Sequence, residues 1–128
     1  MKILTTTQLR EMLRGGALNL EINKAYVDSL NVFPVPDGDT GTNMNLTMQS
    51  SIKVMDDCTD DNIGAISQAF AKGALMGARG NSGVILSQIF KGFSAVLKEN
   101  KDLTTKVFAR AHLWMLLDTM QKICPTGL

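Results

Sequence analysis

The stretch Val84-Ile-Leu-Ser-Gln-Ile-Phe-Lys-Gly-Phe-Ser-Ala-Val-Leu97 has the clearest secondary-structure pattern in the chain. Its apolar residues recur three and four positions apart, which places them on one face of an α-helix. Similar stripes run through residues 16–30, 44–55 and 63–76, and another helix is expected from Thr104 onward. Because no segment alternates apolar and polar residues for long enough to indicate a strand, the sequence predicts an all-α antiparallel bundle.

The ends of these predicted helices are indicated by capping residues and glycines. Thr5–Thr7 offer hydroxyl caps for a short first helix, and Gly15-Gly16 are expected to end or kink it. Thr104 or Thr105 is expected to cap the last helix. The bundle should therefore consist of helix pairs joined by short loops.

Composition narrows the function classes. The 128 residues predict one domain, and 45% hydrophobic with 20% charged residues is a globular composition. Thirteen Lys and Arg against twelve Asp and Glu give a net charge of +1, which argues against a nucleic-acid binder. The apolar runs are too short for a transmembrane segment and the start lacks a signal-peptide pattern, so we expect a soluble cytoplasmic protein. The single histidine, His112, argues against His-rich metal sites.

The two cysteines give no sign of a metal or redox motif. Cys58 and Cys124 lie far apart and form no CxxC spacing. One disulfide is conceivable, but reduced thiols are favoured.

The first loop with chemical character runs from Leu30 to Met44, Leu-Asn-Val-Phe-Pro-Val-Pro-Asp-Gly-Asp-Thr-Gly-Thr-Asn-Met. Pro34 and Pro36 stop the preceding helix and favour an extended backbone. Asp37 and Asp39 then place two carboxylates one residue apart, and such hard oxygen donors suit Mg²⁺. The alternative is an acidic turn with a helix cap.

The same loop opens the next helix with Thr40, Gly41, Thr42 and Asn43. Free backbone N–H groups and the helix dipole favour a phosphate at such an N-terminus. Metal ligands beside an anion site are what a magnesium nucleotide requires. An EF-hand is excluded because its calcium loop would need an acidic residue where Met48 stands.

The second such loop is Gly77-Ala-Arg-Gly-Asn-Ser-Gly83, between the third and fourth stripes. Glycines at every third position, with Asn81 and Ser82 at the helix start, predict another anion-binding turn. It is neither a Walker A loop nor a dinucleotide fingerprint, since it lacks Gly-Lys-Ser/Thr and no strand precedes it. Arg79 could pair with a phosphate or simply be solvated.

Residues 30–44 and 77–88 closely resemble two motifs of the nucleotide-binding domain of bacterial fatty acid kinase, and they occur in the same order along the chain. That domain is related to the L subunit of dihydroxyacetone (glycerone) kinase, and both are DAK2-type, or DhaL-like, kinase domains. The resemblance covers about Thr7 to Arg110. It implies an antiparallel α-helical barrel that holds ATP and magnesium ions at one end.

The resemblance also assigns roles to residues of this chain. It implies that Asp37, Asp39 and Asn31 bind the metal, although Asn31 can offer only a neutral carbonyl oxygen. The implied cofactor-binding residues are Thr40, Gly41, Thr42, Asn43, Met44, Asn81, Ser82 and Gly83. No protein nucleophile is implied, because Mg²⁺ and positioning carry phosphoryl transfer in such kinases.

The implied reaction is phosphorylation of a fatty-acid carboxylate delivered by a separate DegV-like acyl-binding protein, giving an acyl phosphate for phospholipid synthesis. The Phe-Pro-Val-Pro stretch before Asp37 favours this branch. A second possibility is transfer to a hydroxyl of a partner-bound triose, as in dihydroxyacetone kinase. A third is a catalytically inactive remnant that acts as an interaction module.

Beyond Arg110 the sequence departs from the family pattern. We therefore divide it into a partial nucleotide-binding domain at residues 1–110 and a divergent tail at residues 111–128, and hypothesise truncation or a frameshift near Arg110. In the tail Leu113, Trp114, Met115, Leu116 and Leu117 are apolar all round a helix, which requires burial on every side. They are expected to pack inside the bundle, to meet another chain as in a homodimer, or to belong to an incomplete sequence.

Overall fold

The computed structural model describes residues 3–32, 36–99 and 102–123, and this part of the chain is almost entirely helical. Its helices are α1 (Thr6–Ser29), α2 (Thr40–Asp57), α3 (Ile63–Met76), α4 (Gly80–Glu99) and α5 (Thr105–Ile123). Two short strands, β1 (Ile3–Leu4) and β2 (Leu103–Thr104), pair antiparallel. The predicted all-α class is confirmed.

Consecutive helices pack side by side and run in opposite directions. The guanidinium of Arg10, near the start of α1, donates to the carbonyl oxygens of Met55 and Cys58 at the end of α2, both at 2.8 Å. At the other end, Gly41 of α2 lies against the backbone of Lys24 in α1. These contacts fix α1 and α2 as an antiparallel pair.

The remaining pairs follow the same rule. Gly64 at the start of α3 lies against Leu97 at the end of α4. Five residues connect α2 to α3 and five connect α4 to α5, so each of these side-by-side pairs is also antiparallel. The helix direction therefore alternates along the chain, and the N-termini of α2 and α4 lie at the same end of the bundle. α2 also contacts α4 directly.

The core lies between the helices and is built from their apolar stripes. The largest fully buried apolar side chains are Phe70, Leu9, Met55, Ile66 and Leu97. The ring of Phe70 meets that of Phe90 edge-on, with the centroids 4.7 Å apart, a favoured aromatic geometry. The stripe of residues 84–97 contributes to this core from Leu86 onward, whereas Val84 and Ile85 are exposed near the start of α4.

The first helix differs from the prediction, because Gly15-Gly16 neither end nor interrupt it. Thr5 caps α1 through a reciprocal pair of hydrogen bonds with Gln8, and the helix continues to Ser29. A glycine costs about 1 kcal/mol in a helix interior. The packing of α1 along α2, which includes the contacts of Arg10, offsets that cost.

The apolar stripe of residues 16–30 also does not face the core. Leu18, Ile22, Tyr26 and Leu30 are all more than half exposed. The helix packs instead through Leu9, Leu13, Ala17 and Leu20. Periodicity predicts that a helix has an apolar face, but here α1 has two such faces and only one meets another described element.

The strand pair is a second difference from the sequence prediction. Ile3 pairs with Thr104 and Leu4 with Leu103, and two residues are too short to show an alternating pattern. The predicted capping at the start of α5 is confirmed for Thr104, whose hydroxyl accepts the Val107 N–H at 3.2 Å.

The last helix runs through Arg110 without a break. Leu113, Trp114 and Leu117 are each about half exposed, so the expectation that they pack inside the bundle is wrong. Met115 packs against the core, because α5 meets the other helices on one side. The side chain of Leu116 lies outside the described residues.

Two further observations concern the described part of the chain. No helix in it is long and apolar enough to cross a membrane. Cys58 is a free, half-buried thiol. Cys124 and the Phe33–Val35 part of the proline stretch lie outside the described residues.

Candidate functional site

A polar cleft of about 420 Å³ opens at the end of the bundle where α2 and α4 begin. It is lined by residues of the two loops singled out in the sequence. The lining residues are Asn31, Asp37, Asp39, Thr40, Asn43, Gly80, Asn81 and Ser82. The side-by-side packing of α2 and α4 brings the two loops, separated by about forty positions in the sequence, to one cavity.

The charged side chains that line this cleft are all negative. Asp37 and Asp39 contribute two exposed carboxylates, and none of the other lining residues carries a charge. Two neighbouring carboxylates repel each other unless a cation lies between them. The cleft could therefore accept a phosphate chain only together with a cation that neutralises the carboxylates.

Asn31 supplies a third oxygen at the same cleft. Its side-chain carbonyl oxygen is buried and has no hydrogen-bond donor among the described residues. An unpaired buried acceptor costs free energy, and a hard cation would satisfy it. The oxygen set of Asp37, Asp39 and Asn31 thus fits Mg²⁺, which prefers a few protein oxygens and completes its shell with water and phosphate.

The cleft offers only a few acidic side chains to a cation, however. Within residues 3–32, 36–99 and 102–123 there is no cluster of three or more Asp, Glu, His or Cys side chains that could hold a metal ion. A cation here would therefore depend on two carboxylates and neutral oxygens. This is a pattern suited to a metal that arrives with a phosphate ligand rather than to a closed structural site.

The helix start leaves the carboxylate of Asp39 uncommitted. Gly38 adopts a φ of 63°, the left-handed conformation that favours glycine, and turns the chain into α2. Asp39 occupies the N-cap position and its carbonyl accepts the Asn43 N–H at 2.8 Å. Its side chain makes no capping hydrogen bond, so the carboxylate is available to a ligand.

Asp28 takes over the capping role. Its carboxylate accepts the backbone N–H of Thr42 at 2.9 Å and the Thr42 hydroxyl at 2.6 Å. The Thr42 hydroxyl, followed by its N–H, lowers the pKa of Asp28, with smaller help from the Gly41 N–H and the charge of Lys24 and against the effect of desolvation. Both donors of Thr42 are thus occupied, and Thr42 lies outside the cleft lining.

Three more residues of the predicted cofactor-binding set lie outside the cleft lining: Gly41, Met44 and Gly83. Gly41 is buried where a Cβ atom would overlap the Lys24 carbonyl, and Gly83 is buried where a Cβ would lie 2.5 Å from the Thr47 hydroxyl oxygen. Met44 is half-buried. The two glycines let the helices approach closely, and this is how they shape the cleft.

The second loop enters the cleft through Gly80, Asn81 and Ser82. Gly80 has a φ of 64°, and a Cβ there would lie 2.7 Å from the Asn43 amide nitrogen. A larger residue would therefore displace the Asn43 side chain from the cleft and would be disfavoured by the positive φ. The side chain of Arg79 is exposed and does not line the cleft.

Asp28 and Thr47 were not predicted from the sequence, and Gly80 was identified only as a loop glycine. Asp28 lies fourteen positions before its partner Thr42, and Thr47 lies thirty-two positions before its partner Arg79. No local motif links such pairs. The glycine spacing of the second loop was the one available signal for Gly80.

Comparison with known proteins finds one matching family model and several similar proteins. A model of the DAK2 domain matches residues 34–126. Protein YloV of Bacillus subtilis (strain 168) is 55% identical over 101 residues, which is 79% of this chain and 18% of that relative. Uncharacterized proteins of Staphylococcus epidermidis (strain ATCC 12228 / FDA PCI 1200) and Staphylococcus aureus (strain USA300) are 54% and 52% identical over the same coverage.

The chain thus spans about a fifth of the length of these relatives. The family match continues past Arg110 to residue 126 and covers the whole of α5. It also includes Asp37, Asp39 and the whole second loop. The chain belongs to the DAK2 domain family.

Proposed function

We propose that this chain binds a magnesium nucleotide, ATP, in the cleft between the starts of α2 and α4. One observation carries the proposal: the two carboxylates and the unpaired Asn31 oxygen share a cavity with two helix N-termini. The carboxylates suit a divalent cation, and the helix N-termini suit phosphate oxygens. Membership of the DAK2 family supports the same assignment.

In this proposal each loop has a distinct task. Asp37, Asp39 and Asn31 hold the cation, which when bound neutralises the charge of the phosphate chain. Thr40 and Asn43 on one side, and Asn81 and Ser82 on the other, orient the phosphates through hydroxyl, amide and backbone donors. The chain supplies no nucleophile, so its contribution is binding and orientation.

We further propose that the bound nucleotide serves a kinase whose acceptor is a fatty-acid carboxylate held by a DegV-like acyl-binding protein. A carboxylate oxygen would form a bond to the γ-phosphorus while the bond from that phosphorus to the β–γ bridging oxygen breaks. The products are an acyl phosphate and ADP. This acceptor rests on the likeness of residues 30–44 to the fatty acid kinase motif; a triose hydroxyl is the competing acceptor.

Calorimetric titration of ATP with and without Mg²⁺ tests the nucleotide proposal. We expect magnesium-dependent binding to the wild-type chain and its loss in Asp37→Ala/Asp39→Ala, because the cation loses both carboxylates. The matched control is Asp57→Ala/Asp60→Ala, which removes the same charge from exposed positions at the opposite end of the bundle. Equal losses in both double variants, or no binding by the folded wild type, would contradict the proposal.

A transfer assay tests the acceptor. The chain is incubated with Mg-ATP and an acyl-loaded DegV-like protein, and the acyl phosphate is trapped with hydroxylamine. Acyl hydroxamate formation that requires both proteins supports the fatty-acid acceptor, whereas phosphorylated dihydroxyacetone in a parallel reaction supports the triose acceptor. Nucleotide binding without transfer to either would assign the chain as a binding module without activity of its own.

A further inference from the structure

The buried hydroxyl of Thr47 connects the two loops of the cleft. Thr47 lies on α2, two turns inside the bundle, and is completely buried. Its hydroxyl donates to the carbonyl oxygen of Asn43 at 2.8 Å and accepts the backbone N–H of Arg79 at 3.1 Å. Asn43 lines the cleft from the first loop, and Arg79 directly precedes Gly80, which lines it from the second.

The surroundings of Thr47 show close fitting on the α4 side. A Cβ atom at Gly83 would come within 2.5 Å of the Thr47 hydroxyl oxygen, so α4 lies directly against it. The carbonyl of Arg79 in turn accepts the Gly83 N–H at 3.0 Å, which closes the first turn of α4. The Thr47 hydroxyl therefore contacts both the turn that precedes α4 and the turn that begins it.

We infer that Thr47 is a positioning residue that sets the separation of the two anion-binding loops, an inference that rests on the proposed nucleotide site. Thr47 does not line the cleft. It acts through Asn43 and through the Arg79–Gly80 peptide. When its hydroxyl is removed, the second loop loses a fixed attachment to α2 while the cleft keeps all of its own side chains.

A threonine hydroxyl suits this position because it donates and accepts at once. Valine has nearly the same shape but leaves the Arg79 N–H without its acceptor, and an unpaired buried donor is unfavourable. Serine keeps the hydroxyl and loses only the methyl group. The pair Thr47→Val and Thr47→Ser therefore separates the hydrogen bond from the packing.

Ser51 provides the matched control. It lies one turn further along α2, is also completely buried, and its hydroxyl bonds within the helix to the Thr47 carbonyl at 3.3 Å. Ser51→Ala removes a buried hydroxyl from the same helix without touching the second loop.

The experiment measures Mg-ATP affinity by calorimetry and backbone amide exchange by NMR in the wild type and the three variants. We expect Thr47→Val to bind Mg-ATP about tenfold more weakly and to exchange the Arg79 amide about tenfold faster, since both follow from one lost hydrogen bond. Thr47→Ser and Ser51→Ala should stay within about twofold of the wild type in both measurements. If the valine variant does not fold, Thr47→Ala removes the same hydroxyl without added volume.

The possible results are distinguishable. Wild-type affinity and wild-type Arg79 exchange in the valine variant would overturn the inference, as would equal weakening in Thr47→Ser or Ser51→Ala. If the wild-type chain binds no Mg-ATP, the proposed function fails. Arg79 exchange then still decides whether Thr47 holds the second loop: faster exchange in Thr47→Val supports this attachment, and unchanged exchange refutes it.

Discussion

The carboxylate of Asp28, in the last turn of α1, accepts both hydrogens that Thr42 offers at the start of α2. The distances are 2.9 Å from the backbone N–H and 2.6 Å from the hydroxyl. An anion at a helix N-terminus is stabilised by the free N–H groups and the helix dipole. The pair therefore joins the two helices directly beside the Asp37–Asp39 loop, and it uses donors that would otherwise be free for a phosphate.

Asp28 should make the stability of the chain depend on pH in the acid range. Its pKa in the folded chain lies below the ordinary value of 3.8, so its ionised form stabilises the fold at and above that pH. The contribution is lost as the pH falls below 3.8 and passes through the lowered pKa. In Asp28→Asn this part of the pH dependence should be absent.

Urea unfolding of the wild type and Asp28→Asn across this range checks the prediction. The wild type should be the more stable of the two at neutral pH, and the two midpoints should converge as the pH falls. A difference that stays constant down to about pH 2 would show that the Asp28 charge is not responsible.

Replacing Asn31 with aspartate should tighten cation binding. Asn31→Asp adds a third carboxylate to a cleft that already holds Asp37 and Asp39. We expect Mg²⁺ affinity in the absence of nucleotide to rise about tenfold, because affinity grows with the charge of the ligand set. Calorimetric titration with MgCl₂ measures it.

The control for this change is Asn62→Asp, which alters the charge equally at the exposed cap of α3. It should leave Mg²⁺ affinity unchanged, because α3 begins at the opposite end of the bundle. Tighter binding in the control as well would point to a general charge effect and away from a site at Asn31.

Gly41 and Gly15 should respond in opposite ways to alanine. A Cβ at Gly41 would overlap the Lys24 backbone, which cannot move aside as a side chain could. Gly41→Ala should therefore destabilise the chain by about 1–3 kcal/mol or more. Gly15 has open space around its Cβ position, so Gly15→Ala should stabilise α1 by about 0.5–1 kcal/mol. Thermal unfolding of both variants measures whether each one is more or less stable than the wild type. A stabilised Gly41→Ala would refute the close contact of α1 and α2.

Phe70 should be the most sensitive aromatic position of the core. It is 1% exposed and its ring packs edge-on against Phe90. Phe70→Ala should cost about 3–5 kcal/mol through lost burial and a residual cavity. The exposed Leu18→Ala should change stability by no more than about 0.5 kcal/mol, and chemical denaturation of both variants checks the contrast. A comparable loss in Leu18→Ala would indicate that the outer stripe of α1 is covered.

Much of the fold could be predicted because helix formation is largely a local property. The spacing of Ile63, Ile66 and Phe70 predicted a buried face, and all three are buried. The equally regular spacing of Leu18 and Ile22 predicted a stripe that in fact faces outward. Periodicity reports which residues share a face, whereas the neighbour that covers that face is chosen by packing.

Part of the candidate site could be predicted from the order of the residues alone. Asp37, Asp39, Asn81 and Ser82 were identified because carboxylates, a flexible glycine turn and helix-start donors have that chemistry wherever they fold. The packing of the helices determines which of the predicted residues line one cavity and which of their hydrogen-bond donors are left unoccupied. Thr42 donates to Asp28 instead of facing the cleft, and Gly41 and Gly83 lie in close contacts between helices. The sequence does not predict this, because hydrogen bonds and steric contacts between helices depend on distances that no local pattern encodes.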